Sequence, residues 1–109
     1  MTTAAGEPEI TDNEAESRFV YQDGGAEAEL LYHLNGTRLV LIHTEVPDAL
    51  SGRGLGGRLV RAAVDRARRQ GLTIVPWCPF ARRWLQEHED VASSVSIDWD
   101  TRPPEQPGS

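Results

Sequence analysis

The sequence predicts an α+β fold: an antiparallel meander of three strands, then one βαβ crossover and a second helix. Three observations carry that prediction. Two glycine turn signals, Asp23-Gly24-Gly25 and Asn35-Gly36, separate segments rich in apolar residues, and Asn-Gly between such segments is the strongest short hairpin signal. Four glycines within residues 51–57 open a segment of helical periodicity, and a short apolar stretch, Leu72-Thr73-Ile74-Val75, follows the glycine that ends it.

Taken in order, residues 18–22, 26–34 and 38–46 are the three strands. From residue 55 to 70, Leu55, Leu59, Ala62, Ala63 and Ala67 recur at helical spacing, with Arg58, Arg61, Asp65, Arg68 and Arg69 on the other side and Gly71 as the stop. Residues 72–75 read as a short buried strand. Pro76-Trp77-Cys78-Pro79 leads into a second helix, with Pro79 at its first position and Phe80, Ala81, Trp84 and Leu85 on one face. In Val95-Ser96-Ile97-Asp98-Trp99 the apolar residues alternate, which fits an added edge strand or a partner contact.

The glycine turn is the feature with chemical content. A strand that breaks at Pro47 and passes through Gly52, Gly54, Gly56 and Gly57 into a helix presents bare N–H groups, because glycine puts no Cβ in the way and the first helical turn holds donors without internal partners. That is an anion-binding turn, and Arg53 and Arg58 beside it can add charge-assisted contacts to phosphate. Gly52, Gly54 and Gly57 formally match G-x-G-x-x-G. A dinucleotide fold, however, wants an acidic residue about 20 positions on, and this chain has Val75-Pro76-Trp77 there. A P-loop is excluded too, since no Gly-Lys-Ser/Thr closes the turn.

At 109 residues the chain is expected to form one domain, with no apolar run near the roughly 20 residues needed to span a bilayer. The first residues lack the basic flank and apolar core of a secretory signal, and the single cysteine, Cys78, permits no intrachain disulfide. A cytoplasmic protein is the expectation. The net charge of −6 resides at the ends: Glu7, Glu9, Asp12, Glu14 and Glu16 face no base in residues 1–16, and residues 89–109 carry five acids against Arg102 alone. Residues 1–16 are therefore expected to be a disordered acidic tail, 17–90 the working domain, and 91–109 an acidic, Pro-rich tail. The middle is mildly basic, which suits a phosphorylated ligand, whereas acidic ends argue against nucleic acid.

Three segments in order, His43-Thr44-Glu45-Val46-Pro47, Gly52-Arg53-Gly54-Leu55-Gly56 and Val75-Pro76-Trp77-Cys78-Pro79-Phe80, resemble the GNAT superfamily of N-acetyltransferases in its small stand-alone branch. The resemblance covers about Phe19 to His88. It implies the minimal acyl-CoA N-acyltransferase fold with splayed central strands, and transfer of an acetyl group from acetyl-coenzyme A to a primary amine. By resemblance, the amides of Arg53, Gly54, Leu55, Gly56 and Gly57, with Gly52 and Arg58 alongside, would hold the pyrophosphate, and the strand ending at Val46 would pair with the pantetheine arm. No metal is implied, and the acceptor would be a small-molecule amine or a protein amino group. No membrane or nucleic-acid partner is expected, and a monomer or weak homodimer is.

Two departures from the superfamily pattern stand out. Ser51 occupies a place usually held by Gln or Arg, and Trp84 stands where many members have a tyrosine that protonates the leaving thiolate. An indole N–H has no useful acidity, so another group or a water must supply that proton. Cys78, at a helix start where unpaired N–H groups favour a thiolate, is open to three readings: acid, acyl-carrying nucleophile or buried structural thiol. His43 and Glu45 share a strand face by the period of 2 and are the candidates for taking the amine proton. Against each stands a plainer role, core histidine or solvated carboxylate. Trp77, Phe80 and Trp84 line the cleft or fill the core, and Arg82 and Arg83 read as a solvated helix face. Little sequence remains to shape an acceptor pocket as helices do in larger members, so a catalytically silent CoA- or acetyl-CoA-binding regulatory module is the alternative.

Overall fold

The computed structural model describes residues 10–102. Six strands form one sheet in chain order: β1 (Thr11–Asn13), β2 (Arg18–Asp23), β3 (Ala26–Asn35), β4 (Arg38–Glu45), β5 (Thr73–Pro76) and β6 (Ser96–Ile97). The first four pair antiparallel, and β5 and β6 then run parallel to β4. The crossover from β4 to β5 is the helix α1 (Leu55–Gln70); α2 (Pro79–Glu87) and the short α3 (Glu89–Ala92) carry the chain from β5 to β6. This is the α+β arrangement expected from the turn signals, with an extra edge strand on either side.

The helices cover one face of the sheet. Phe19, Leu30, Tyr32, Leu39, Leu41 and Ile74 meet Leu59, Ala63 and Ala67 of α1 and Ala81 and Leu85 of α2 in one buried cluster. Small residues on α1 let the helix lie close to the strands. Gly71, left-handed at φ 68°, ends α1 and turns the chain into β5. The opposite face carries Arg18, which donates to Glu16, Glu27 and Glu29 at 2.7–2.8 Å.

The expected tails shrink at both ends, because their acids have partners. Residues 11–16 are not tail: Thr11–Asn13 pair with β2, and the Asp12 carboxylate accepts hydrogen bonds from the Tyr32 hydroxyl (2.6 Å) and from the buried Arg66 (2.9 Å), which also donates to Tyr32 (2.8 Å). Burial opposes the Arg66 charge, but Tyr32 and Asp12 outweigh it and hold its pKa above the ordinary arginine value. Residues 91–102 are likewise structured. Asp98 accepts from the Thr101 hydroxyl, from Arg38 and from the amides of Thr101 and Asp100, which keeps its carboxyl well below the usual range. Charge composition alone could not show that these acids are clasps. Residues 1–9 and 103–109, the remainder of the two expected tails, lie outside the described residues.

Candidate functional site

The site begins where β4 and β5 part. Their ladder runs only from Arg38↔Thr73 to Leu41↔Pro76. Pro76 has no N–H with which to extend it, and the Leu41 carbonyl accepts from both Trp77 (3.0 Å) and Cys78 (2.8 Å), which swings the chain away into α2. Beyond Leu41, β4 continues to Glu45 with no strand on that side among the described residues.

A β-bulge sets what the free stretch presents. Leu31 pairs with His43 but Tyr32 pairs with Leu41, so Ile42 is an extra residue. Leu39 and Leu41 face the helices before the bulge; after it, Thr44 and Val46 inherit that direction and line a cleft of about 460 Å³. The same phase shift gives Thr44 and Val46 the backbone N–H and C=O groups that face the parted edge. His43 and Glu45 do share a face, with Nε2 and Oε1 3.5 Å apart, but it is the opposite one, and both side chains are more than half exposed.

The far wall of the cleft is the head of α1. Gly52 and Gly54 take φ of 80° and 70°, the left-handed region that favours glycine, and Gly54 caps the helix without any side-chain hydrogen bond. The first intrahelical bond is Arg58 N–H to Gly54 O at 3.2 Å. The amides of Leu55, Gly56 and Gly57 therefore remain as donors, no acid stands in the first turn, and all three residues border the cleft. Three donors at a helix head, reinforced by the macrodipole, suit an anion.

Two aromatic side chains from α2 complete the enclosure. Phe80, 44% exposed, lies over Gly56, and Trp84 lies against Gly57. A Cβ at residue 56 would fall 2.7 Å from Cζ of Phe80, and one at residue 57 would fall 2.4 Å from Nε1 of Trp84, so both glycines are needed for this approach. Trp84 is stacked on His88, with ring centroids 3.9 Å apart and planes 11° apart, and Nδ1 of His88 lies 2.7 Å from the Trp84 carbonyl oxygen.

Cys78 is buried at the N-cap of α2, with its Sγ 3.3 Å from the Thr44 hydroxyl. Thus Val46, Gly52, Gly54, Leu55, Gly56 and Gly57 surround one cleft, and Cys78 abuts it through Thr44. Arg53 and Arg58 do not line it. Arg53 is drawn to Asp23 at the β2–β3 turn (2.7 Å), and Arg58 stands in a neighbouring groove with Asp12, Arg61 and Arg69. Ser51 borders the cleft while its hydroxyl donates to the Asp48 carbonyl (2.9 Å). Thr44 and Leu50 are cleft residues that the sequence reading assigned no role; only knowledge of the bulge would have found Thr44. Trp77 lies elsewhere, its indole donating to the Thr101 carbonyl (3.1 Å), and Arg82 sits 5.5 Å over Trp99.

A mixed sheet with a parted parallel pair, and a glycine-built helix head at the parting, defines an acyltransferase-type fold. The description "GCN5-related N-acetyl-transferase" belongs to a family model that matches residues 18–94, and the chain belongs to that family. Protein NATD1 of Gallus gallus is 40% identical over 62 residues, 56% of this chain and 56% of that protein. The Homo sapiens protein of the same name is also 40% identical over 62 residues, covering 56% of this chain and 55% of its own length. The chain thus spans just over half the length of these relatives. A GCN5-like protein from Staphylococcus aureus, solved by NMR, matches with a TM-score of 0.66 at 28% identity, covering 87% of this chain and 94% of that one.

Proposed function

We propose that the protein is an N-acetyltransferase that takes its acetyl group from acetyl-coenzyme A and delivers it to a primary amine. One observation carries this reading: three uncapped amides and an unpaired strand edge meet in a single cleft. The amides suit a diphosphate, and the free N–H and C=O groups of Thr44 and Val46 suit the amide-bearing pantetheine arm. Family membership supports the same donor.

In the transfer step the amine nitrogen attacks the thioester carbonyl, a C–N bond forms, the C–S bond breaks, the amine loses a proton and the departing thiolate gains one. An alkylammonium of pKa about 10.4 is almost wholly protonated at pH 7, so a base or a desolvating site must first free its lone pair. Among the described residues, none that lines the cleft is an acid or a base. Glu45 and His43 would therefore act from the opposite face of β4, on an amine entering between the parted strands. Cys78, buried with its Sγ 3.3 Å from the Thr44 hydroxyl, would protonate the sulfur or carry the acetyl group. The absence of titratable groups from the cleft lining also favours the second reading, a module that binds the coenzyme without transferring its acetyl group.

Incubation with acetyl-labelled acetyl-coenzyme A and a panel of polyamines, amino acids and peptides tests the proposal. Label on an amine supports the transferase. Label on Cys78 alone indicates an acyl-enzyme, and binding without transfer supports the module. No binding at all ends both readings.

A further inference from the structure

Three side chains with a polar hydrogen border the cleft among the described residues: Thr44, Ser51 and Trp84. Ser51 donates its hydrogen to the Asp48 carbonyl, and Trp84 packs on Gly57 at the head of α1. Thr44 stands at the other end. Leu41 is the last residue of β4 in the ladder with β5, Thr44 is the first cleft residue beyond it, and Val46 follows in the direction of the α1 head. An arm laid along this edge with its diphosphate on residues 54–57 therefore brings its sulfur end to Thr44. The Thr44 hydroxyl is also held from behind. Cys78 is 2% exposed, its amide donates to the Leu41 carbonyl at 2.8 Å, and its Sγ lies 3.3 Å from Oγ1 of Thr44, the hydrogen-bond partner of that sulfur among the described residues. A hydroxyl offers one donor and two acceptor sites, whereas a thiol sulfur accepts weakly. With Sγ–H donating, Oγ1 keeps its own hydrogen for the cleft.

We propose that Thr44 is a catalytic residue whose hydroxyl donates a hydrogen bond to the sulfur that leaves the thioester, and that Cys78 is the positioning residue that turns this hydroxyl toward it. As the C–N bond to the amine forms, the C–S bond breaks with its electron pair going to sulfur. The Oγ1–H donor stabilises that charge where Val46, Leu50, Leu55 and Phe80 make the surroundings apolar. Thr44 gains and loses no proton, and the one that completes the thiol balances the one the amine gives up. Cys78 does not itself border the cleft, so Thr44 is the group that meets the sulfur directly. The inference rests on the reading of the cleft as the coenzyme site.

The test adds coenzyme A, isotopically labelled at the carbon bonded to sulfur, to the full-length protein and follows the pH titration of the bound thiol by NMR. A hydrogen bond to the charged form favours that form, so the bound thiol is expected to titrate about one pH unit lower in the wild-type protein than in the isosteric Thr44→Val. Thr44→Ser is expected to match the wild type, and Cys78→Ala to lie between the two. A nuclear Overhauser contact from the hydrogens of the labelled carbon to the Thr44 methyl group, measured on the wild-type protein, is the second readout and needs no variant. If coenzyme A binds but that contact is missing, or the thiol titrates alike in the wild type and Thr44→Val, the assignment of Thr44 is overturned and the cleft stands. If Cys78→Ala titrates with the wild type, the positioning role of Cys78 is overturned. If the wild-type protein binds no coenzyme A, the reading of the cleft itself fails.

Discussion

Replacing Gly57 with alanine should destabilise the protein, whereas the same change at Gly56 should not, although both lie in the first turn of α1. Alanine gains about 1 kcal/mol over glycine in a helix, so propensity alone predicts two stabilised variants. The contacts separate them. At residue 57 the new Cβ would sit 2.4 Å from Nε1 of Trp84, and an ordinary contact of roughly 3.5 Å requires a shift of about 1 Å. The indole is backed by His88 at 3.9 Å, so it retreats only by opening that stack or parting α1 from α2. Such overpacking costs about 1–3 kcal/mol. At residue 56 the obstacle is the far end of Phe80, a side chain 44% exposed that can swing into solvent. Urea denaturation followed by circular dichroism should place Gly57→Ala below Gly56→Ala by about 1–3 kcal/mol, near 1 M in midpoint for a typical slope. Adding Trp84→Ala to Gly57→Ala should recover most of the overpacking cost relative to Trp84→Ala alone. Equal stability of the two alanine variants would refute the packing argument.

Arg66→Ala leaves the Asp12 carboxylate without its cation and should cost about 2–3 kcal/mol, read by the same denaturation assay, since Asp12 retains some contact with water. Burial, aided by the hydrogen bond to Asp12, pushes the Tyr32 hydroxyl up to about 12. Its contribution is therefore complete below about pH 10 and is lost as the pH rises toward 12, so melting temperatures should fall over that interval and fall less in Tyr32→Phe. Parallel curves for the two proteins would contradict the assignment. Asp98 is shifted the other way, so its clasp persists through mildly acidic pH and weakens only as the pH falls below the ordinary carboxylate range. Asp98→Ala should speed hydrogen exchange at the Asp100 and Thr101 amides while leaving the denaturation midpoint of the whole protein almost unchanged.

Much of this architecture was legible in residues 18–90 because local chemistry and global fold agree there. Asn35-Gly36 marks its hairpin, the spacing from Leu55 to Ala67 marks α1, and the glycines of residues 52–57 mark the helix head. What was hidden depended on partners distant in sequence. Thr11–Asn13 look like an acidic tail until Arg66, more than fifty residues away, is seen to accept them into the fold. Asp98 falls in the stretch expected to be an acidic tail, and only the folded chain brings Arg38 and Thr101 beside it. The most consequential surprise was the bulge at Ile42. A period of 2 correctly put His43 and Glu45 together, yet a single inserted residue decides which face they share, and nothing in the local residue types announces the insertion. For the same reason Thr44 became visible as a cleft residue only once the strand register was known.

Amide chemical-shift mapping with acetyl-coenzyme A tests the central claim most directly. The account predicts that the largest perturbations fall on Thr44, Val46 and residues 52–57, with Leu55, Gly56 and Gly57 foremost among them. Saturable binding whose perturbations lie elsewhere, for instance along the opposite sheet face around Arg18 and Glu29, would contradict it.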